Sequence, residues 1–160
     1  LCKSLLRISP MHFQRTQATD SHFQQLIALL DQDLWSRYKE EQAKFVAHNF
    51  MDLTARVIVA YEGEQAVGCG CFRPTEENGT VEIKRMFVQP GSRGKGIAAG
   101  ILQELENWAK QERFNRAILE TGNQQPEAIG LYHKTGYTQI EKYGPYKDMP
   151  ESICMAKKLG

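Results

Sequence analysis

The chain has 160 residues, of which 41% are hydrophobic and 24% charged, proportions of a packed globular protein rather than a disordered one. Its 20 basic and 19 acidic residues leave a net charge of +1, which argues against a nucleic-acid partner while leaving room for a local basic site. No apolar run approaches the ~20 residues of a membrane span, so no membrane partner is expected.

Lys3 and Arg7 flank a stretch too short for a signal peptide, and Met11 reads as a natural start. Residues 1–11 are therefore set apart as an extension or a cloning remnant, and 12–160 as a single domain. Four cysteines occur, Cys2, Cys69, Cys71 and Cys154, without a C-x-x-C pair. Cys69 and Cys71 lie two apart in a strand-like run, which puts both thiols on one face. They read as reduced packing residues of a cytoplasmic protein.

In chain order, His12 to Gln17 is a strand. Ser21 with Gln24 three residues on is a capping box, followed by Phe23, Leu26, Ile27, Leu30 and Leu34 at helical spacing. A second, more polar helix is expected over Lys39 to Phe50. Arg56 to Tyr61 and Gln65 to Arg73 are strands around a Glu62-Gly63-Glu64 turn, and Gly68 and Gly70 leave one face of the second strand bare. Asn78-Gly79 signals a hairpin into Thr80 to Val88. There Val81 and Ile83 alternate with Glu82 and Lys84, but after Arg85 the apolar phase switches to Met86 and Val88. A phase switch within a strand requires an inserted residue, so a β-bulge is expected near Lys84 or Arg85, parting the strand from its neighbour.

Pro90 to Gly96 is a glycine-rich loop entering a helix whose inner face carries Ile97, Ile101, Leu102, Leu105, Trp108 and Ala109. Arg116 to Thr121 is the next strand, and strand–helix–strand makes a parallel pair. Pro126 opens a short helix with Ala128, Leu131, Tyr132 and Thr135 on one side, and Gly136 ends it. Tyr137 to Tyr143 and Ser152 to Lys158 are the last strands, joined by an aromatic loop.

A glycine loop at a helix N-terminus suits an anion, because free N–H groups and the helix dipole both point there. A Walker A loop fails, since Gly94-Lys95 is followed by Gly96 rather than Ser or Thr. Gly94, Gly96 and Ala99 do satisfy G-x-G-x-x-A, but the preceding strand carries Glu82, Lys84 and Arg85, whereas a central strand of a dinucleotide fold is apolar on both faces. A plain turn with solvated Arg and Lys is the remaining alternative for the loop alone.

Arg93-Gly94-Lys95-Gly96-Ile97-Ala98 resembles the acyl-CoA pyrophosphate loop of the GNAT acetyltransferases. Residues 81–88 resemble that family's bulged fourth strand, and residues 127–137 its second motif. The resemblance implies an α/β fold: a mixed central sheet with an antiparallel N-terminal meander, a parallel pair at the cofactor slot, and flanking helices. It implies acetyl-CoA as acyl donor, with no metal. Pantetheine would lie between the parting strands against the backbone of Met86, Phe87 and Val88. The N–H of Phe87 or Val88 would bond the thioester oxygen, and Arg93, Gly94, Lys95, Gly96, Ile97 and Ala98 would hold the pyrophosphate. The sequence departs from the pattern at Gln125, where many members have Asn, and Asn123 is the candidate substitute. The implied reaction is direct attack by a primary amine in a ternary complex, with Glu82 as base and Tyr132 as acid and cofactor contact. His133 points away from Tyr132 on the helix, and Glu120 either lines the acceptor site or ends a strand. The acceptor is a small-molecule or peptide amine, its pocket shaped by Tyr143 to Met149 and Trp35 to Phe50, and a homodimer is left open. The alternatives are a non-catalytic acyl-CoA-binding module and a dinucleotide-binding protein.

Overall fold

A computed structural model describes residues 10–39 and 52–160. Strands β1 (Met11–Gln17), β2 (Arg56–Glu62), β3 (Gln65–Pro74), β4 (Thr80–Val88), β5 (Arg116–Gly122), β6 (Thr138–Ile140) and β7 (Ser152–Lys158) form one seven-stranded sheet in the order β1-β2-β3-β4-β5-β7-β6. Helices α1 (Ser21–Tyr38), α2 (Ile97–Gln111) and α3 (Pro126–Lys134) flank it. Every neighbouring pair is antiparallel except β4 and β5. This is the mixed sheet the sequence implied. An antiparallel meander leads into β4, which excludes the parallel-sheet dinucleotide fold.

Strand alternation gives the sheet two apolar faces. Ile58, Ala60, Phe72, Val81 and Ile83 pack under α2, together with Ile101, Leu102 and Leu105 of that helix. Val57, Val59, Cys69 and Cys71 pack under α1, against Phe23, Leu26, Ile27 and Leu30. The cap of α1 is Asp20 and not Ser21: its Oδ1 accepts from the Phe23 N–H at 2.9 Å and its Oδ2 from the Thr16 hydroxyl at 3.0 Å. A carboxylate with two oxygens satisfies a helix N–H and a strand hydroxyl at once, so the helix starts one residue earlier than a serine cap requires. Lys39 closes α1, and the rest of the polar helix expected over Lys39 to Phe50 lies outside the described residues.

The bare face of β3 is where α2 sits. A Cβ at Gly70 would lie 2.5 Å from Met86 Sδ and 3.0 Å from Ile101 Cγ2, and one at Gly68 would lie 3.0 Å from Ile101 Cδ1. The expected bulge falls at Arg85, which has φ 60. Cys69 pairs with Phe87 but Cys71 with Lys84, so two steps along β3 match three along β4. The thiols of Cys69 and Cys71 donate to the carbonyls of Arg85 and Lys84 at 3.5 and 3.4 Å, partnering backbone groups at the bulge. Both are buried, and burial pushes the Cys71 thiol up to about 12. Cys69, Cys71 and Cys154 are all free thiols.

Below the bulge β4 pairs with β5 over Thr80–Ile83 and Arg116–Leu119 only, and beyond Ile83 the two strands part. The sixth strand is shorter than expected. It ends at Ile140, because the chain leaves the sheet to send the Tyr143 hydroxyl to Glu82 and the Lys142 ammonium to the Met149 carbonyl, both at 2.7 Å. A 3-10 turn over Gly144–Asp148 then buries Tyr146. Among the described residues no helix is long and apolar enough to cross a membrane.

Candidate active site

A cleft of about 570 Å³ opens where β4 and β5 part, reaching from the N-terminus of α2 to the 3-10 turn at Tyr146. Its first end is made of backbone. Gly94 and Gly96 both have φ 79, and a Cβ on either would meet nothing within 4 Å. Glycine is set here by the left-handed backbone, and the space beside the loop stays open. The first N–H groups of α2 have no partner within the helix and face that space. Arg93, Ile97 and Ala98 line the cleft with the glycines. Arg93 is folded back: its Nε donates to the Val88 carbonyl at 2.9 Å and its guanidinium lies 5.8 Å from the Phe87 ring centre. Lys95 does not join them. It pairs with Glu62 at 3.2 Å at the end of β2, outside the cleft.

The middle of the cleft is walled by Met86, Phe87 and Val88. The Gln89 N–H donates to the Val67 carbonyl at 2.8 Å, so alternation turns the N–H of Val88 toward the slot and that of Phe87 toward β3. Of the two donors the sequence left open, the slot receives that of Val88. Across it, Gln125 lines the cleft and its Oε1 accepts from the Gly122 N–H at 3.1 Å. Asn123 is exposed and outside. The position at which the sequence departs from the family pattern thus lies in the cleft, and the expected substitute, Asn123, does not.

The far end is built from side chains. Glu82 lines the cleft but is only 3% exposed, so the solvent-facing alternative does not hold. Arg73 donates to its Oε1 through Nη2 at 2.9 Å and Nε at 3.1 Å, and the Tyr143 hydroxyl donates to Oε2 at 2.7 Å. Lys84 Nζ stands 3.8 Å from the same Oε1 and donates to the Tyr146 hydroxyl at 3.4 Å. Its burial lowers the Lys84 pKa. Glu120 enters from β5, half-buried, with one oxygen accepting from the Ser152 hydroxyl at 2.7 Å. Burial raises its carboxyl to about 7, against the lowering effects of Ser152 and the Lys84 charge.

Tyr132 comes from α3 on the opposite face of the sheet and reaches the same cleft. Its ring meets that of Tyr137 edge-on, 5.7 Å between centres, and is 5% exposed. Burial first, and then the charge of Glu120, raise its pKa, so the hydroxyl holds its proton at neutral pH. His133 is exposed, as its helical position implied. Lys84 and Tyr38 both line the cleft; Tyr38 belongs to the segment Trp35 to Phe50 expected to shape the pocket, whereas Lys84 was not named for it. Lys84 could have been found, since it shares a strand face with Glu82. The Tyr38 hydroxyl accepts from the Gln124 N–H at 3.0 Å, a contact between distant segments that the sequence does not announce. Among the described residues no three His, Cys, Asp or Glu side chains gather as a metal site.

A family model described as the acetyltransferase (GNAT) family matches residues 21–137. The chain is 36% identical over 141 residues to an IAA acetyltransferase of Azospirillum brasilense, covering 84% of this chain and 89% of that protein. It superposes with a TM-score of 0.77, at 32% identity, on the crystal structure of a candidate acyl-CoA N-acyltransferase from Klebsiella pneumoniae, covering 95% of this chain and 99% of that one. PaiA N-acetyltransferase from Thermoplasma acidophilum, solved in complex with coenzyme A, superposes with a TM-score of 0.69 over 93% of this chain and 99% of that one; at 16% identity it speaks to the fold alone. With its bulged fourth strand, glycine loop and parted parallel pair, the chain belongs to the GNAT family of acetyltransferases.

Proposed function

We propose that the protein transfers an acetyl group from acetyl-CoA to a primary amine, by direct attack within a ternary complex. The observation that carries this reading is the convergence, in one cleft, of an anion-ready helix terminus, a carboxyl that titrates near neutrality and a protonated tyrosine. Acetyl-CoA supplies an activated acyl group as a thioester. The N-terminus of α2 with Gly94 and Gly96 holds its pyrophosphate, and the slot-facing N–H of Val88 polarises the thioester oxygen.

Glu120 acts as the general base in preference to Glu82. Both Glu82 oxygens are already hydrogen-bonded, to Arg73 and Tyr143, whereas among the described residues Glu120 accepts from Ser152 on one oxygen, and burial raises its carboxyl to about 7. A base poised near the working pH is half available yet strong enough to take an amine proton. As the C–N bond forms and the C–S bond breaks, the amine proton passes to Glu120. The Tyr132 hydroxyl donates to the departing sulfur. Solvent then takes the proton from Glu120, and Tyr132 is reprotonated.

Among the described residues no cysteine lines the cleft, so none of Cys69, Cys71 and Cys154 is placed to carry an acyl group. The test is thiol release from acetyl-CoA with a panel of primary amines, read as initial rates. Intersecting plots are expected. Parallel plots with a trapped acyl-enzyme overturn direct transfer, and binding of acetyl-CoA without thiol release from any amine favours a non-catalytic acyl-CoA-binding module.

A further inference from the structure

We infer that Ser152 is the positioning residue of the proton acceptor: its hydroxyl holds one oxygen of Glu120, leaves the other to the acceptor amine, and sets the pH range in which the site works. The inference rests on the acetyltransferase reading above, with Glu120 as base, and deepens it.

The strand register brings the pair together. Where β5 and β7 run antiparallel, Gly122 faces Ser152 and Glu120 faces Cys154. Alternation puts all four on one face of the sheet. Gly122 offers Ser152 no side chain, and the space a Cβ would fill there is taken by the Tyr38 hydroxyl. The diagonal neighbour, Glu120, is long enough to reach, and the Ser152 hydroxyl donates to its Oε1 at 2.7 Å.

The donor is firmly mounted. Ser152 is 2% exposed, so water does not compete for its hydroxyl. Its N–H donates to the Met149 carbonyl at 3.2 Å, and the Asn123 N–H donates to the Glu151 carbonyl at 2.8 Å, tying the start of β7 to the end of β5. β5 lies between β7 and β4, with the cleft opening toward β4. A carboxylate with one oxygen fixed toward β7 sends the other toward the cleft.

A hydroxyl suits this duty. When the amine proton arrives on the cleft-facing oxygen, Oε1 becomes a carbonyl oxygen and still accepts from Ser152. The bond survives in both states but is stronger to the carboxylate. It therefore favours ionised Glu120 and opposes the burial that raises the carboxyl to about 7. Without it the base would keep its proton to higher pH and be occupied at neutrality. The other charges facing Glu120 are Glu82 and Lys84 on β4 and Lys142 after β6; Glu82 raises its pKa, and the two lysines lower it. Tyr38, Tyr132, Tyr146 and Cys154 face it as well, and burial raises all four, so they stay neutral where Glu120 titrates.

The test follows Glu120 directly. In protein carrying ¹³C at its glutamate carboxyls, the resonance absent from Glu120→Gln belongs to Glu120, and its midpoint should lie at about 7. In Ser152→Ala that midpoint should rise by about one pH unit, the effect of losing one charge-assisted hydrogen bond. Acetyl-CoA thiol release is then measured with the fastest of benzylamine, spermidine and an N-terminally blocked lysine peptide. With one amine throughout, the amine's own ionisation cancels between proteins. Ser152→Ala should lose about tenfold more in kcat/KM at pH 6 than at pH 9. Added to Glu120→Gln it should cost no further rate, because it acts through that carboxylate. An unmoved midpoint, a loss equal at both pH values, or a further loss in the Glu120→Gln background overturns the inference while leaving the acetyltransferase reading intact. If Ser152→Ala does not fold, Ser152→Cys carries the test: the thiol fills the place but donates weakly, so the midpoint should rise in the same direction, and an unmoved one overturns the inference. Acetyl-CoA bound without thiol release from any of the three amines counts against the enzymatic reading itself, and this inference falls with it.

Discussion

The two walls of the cleft carry one carboxylate each, and they are treated in opposite ways. On β4, Glu82 is fully buried and fully partnered, with a guanidinium on one oxygen and a phenol on the other. On β5, Glu120 is half-buried with Ser152 as its one donor among the described residues, and burial lifts it to about 7. A carboxylate held by two donors is a strut. One that is desolvated but thinly bonded is a base in waiting.

The sharpest way to break this contrast is Glu120→Gln. The amide keeps an oxygen for the Ser152 hydroxyl but cannot accept a proton, so kcat/KM should fall by ~10²–10⁴-fold. In the unmodified protein kcat/KM should rise with pH through about 7 as Glu120 ionises, and that limb should vanish in the variant. A retained limb assigns it to another group. Tyr132→Phe tests the proposed acid. It preserves the edge-on packing with Tyr137 and removes the hydroxyl alone. A loss in kcat of ~10²-fold, with acetyl-CoA affinity nearly unchanged, is expected for a donor that matters as charge develops on sulfur. Full kcat in this variant makes Tyr132 a packing residue.

Glu82→Gln should behave differently from Glu120→Gln. It weakens the Arg73 contact while keeping an acceptor for Tyr143, so stability suffers more than chemistry. Breaking a fully buried pair costs ~3–5 kcal/mol, but Arg73 is 44% exposed and water takes up part of its charge. A cost of about 1–2 kcal/mol, or a Tm lower by roughly 3–6 °C, follows, with kcat/KM reduced less than in Glu120→Gln. If Glu82→Gln loses more activity than Glu120→Gln at unchanged Tm, the two roles are reversed.

The remaining effect is on stability rather than on rate. The folded state holds the Glu120 proton up to about 7, while the unfolded chain loses it near the ordinary value of 4.5. Between those limits the native state binds more protons than the unfolded one, so this group's contribution to stability falls as pH rises. Glu120→Gln should therefore raise Tm relative to the unmodified protein at pH 8 and lose that advantage near pH 4. The comparison is two melting curves at each pH, and an advantage independent of pH assigns the effect to packing.

The end of the cleft made of backbone was legible in the sequence; at the end made of side chains Glu82, Glu120 and Tyr132 were legible as cleft residues, but their hydrogen-bond partners were not. A bulge writes itself into the chain as a switch of apolar phase after Arg85, and left-handed positions write themselves as Gly94 and Gly96. Both signals are local. The state of Glu82 depends on Tyr143, 61 positions away, and that of Glu120 on Ser152, 32 positions away. A strand glutamate looks the same in sequence whether it ends beneath an arginine or beside a serine. Lys95 shows the complementary difficulty. Charge next to a phosphate loop suggests a phosphate ligand, but Glu62 is within its reach and takes it.

The notch at Gly68 and Gly70 gives β3 an influence on ligands it does not line. The depth to which α2 sinks onto the sheet is set where Ile101 rests over these two positions, and Met86, on the cleft wall, fills the rest of the notch. A methyl group at position 70 would press on the helix and the wall together. It would tilt the anion seat relative to the slot, so donor affinity in this fold is open to adjustment from a strand that never meets the donor.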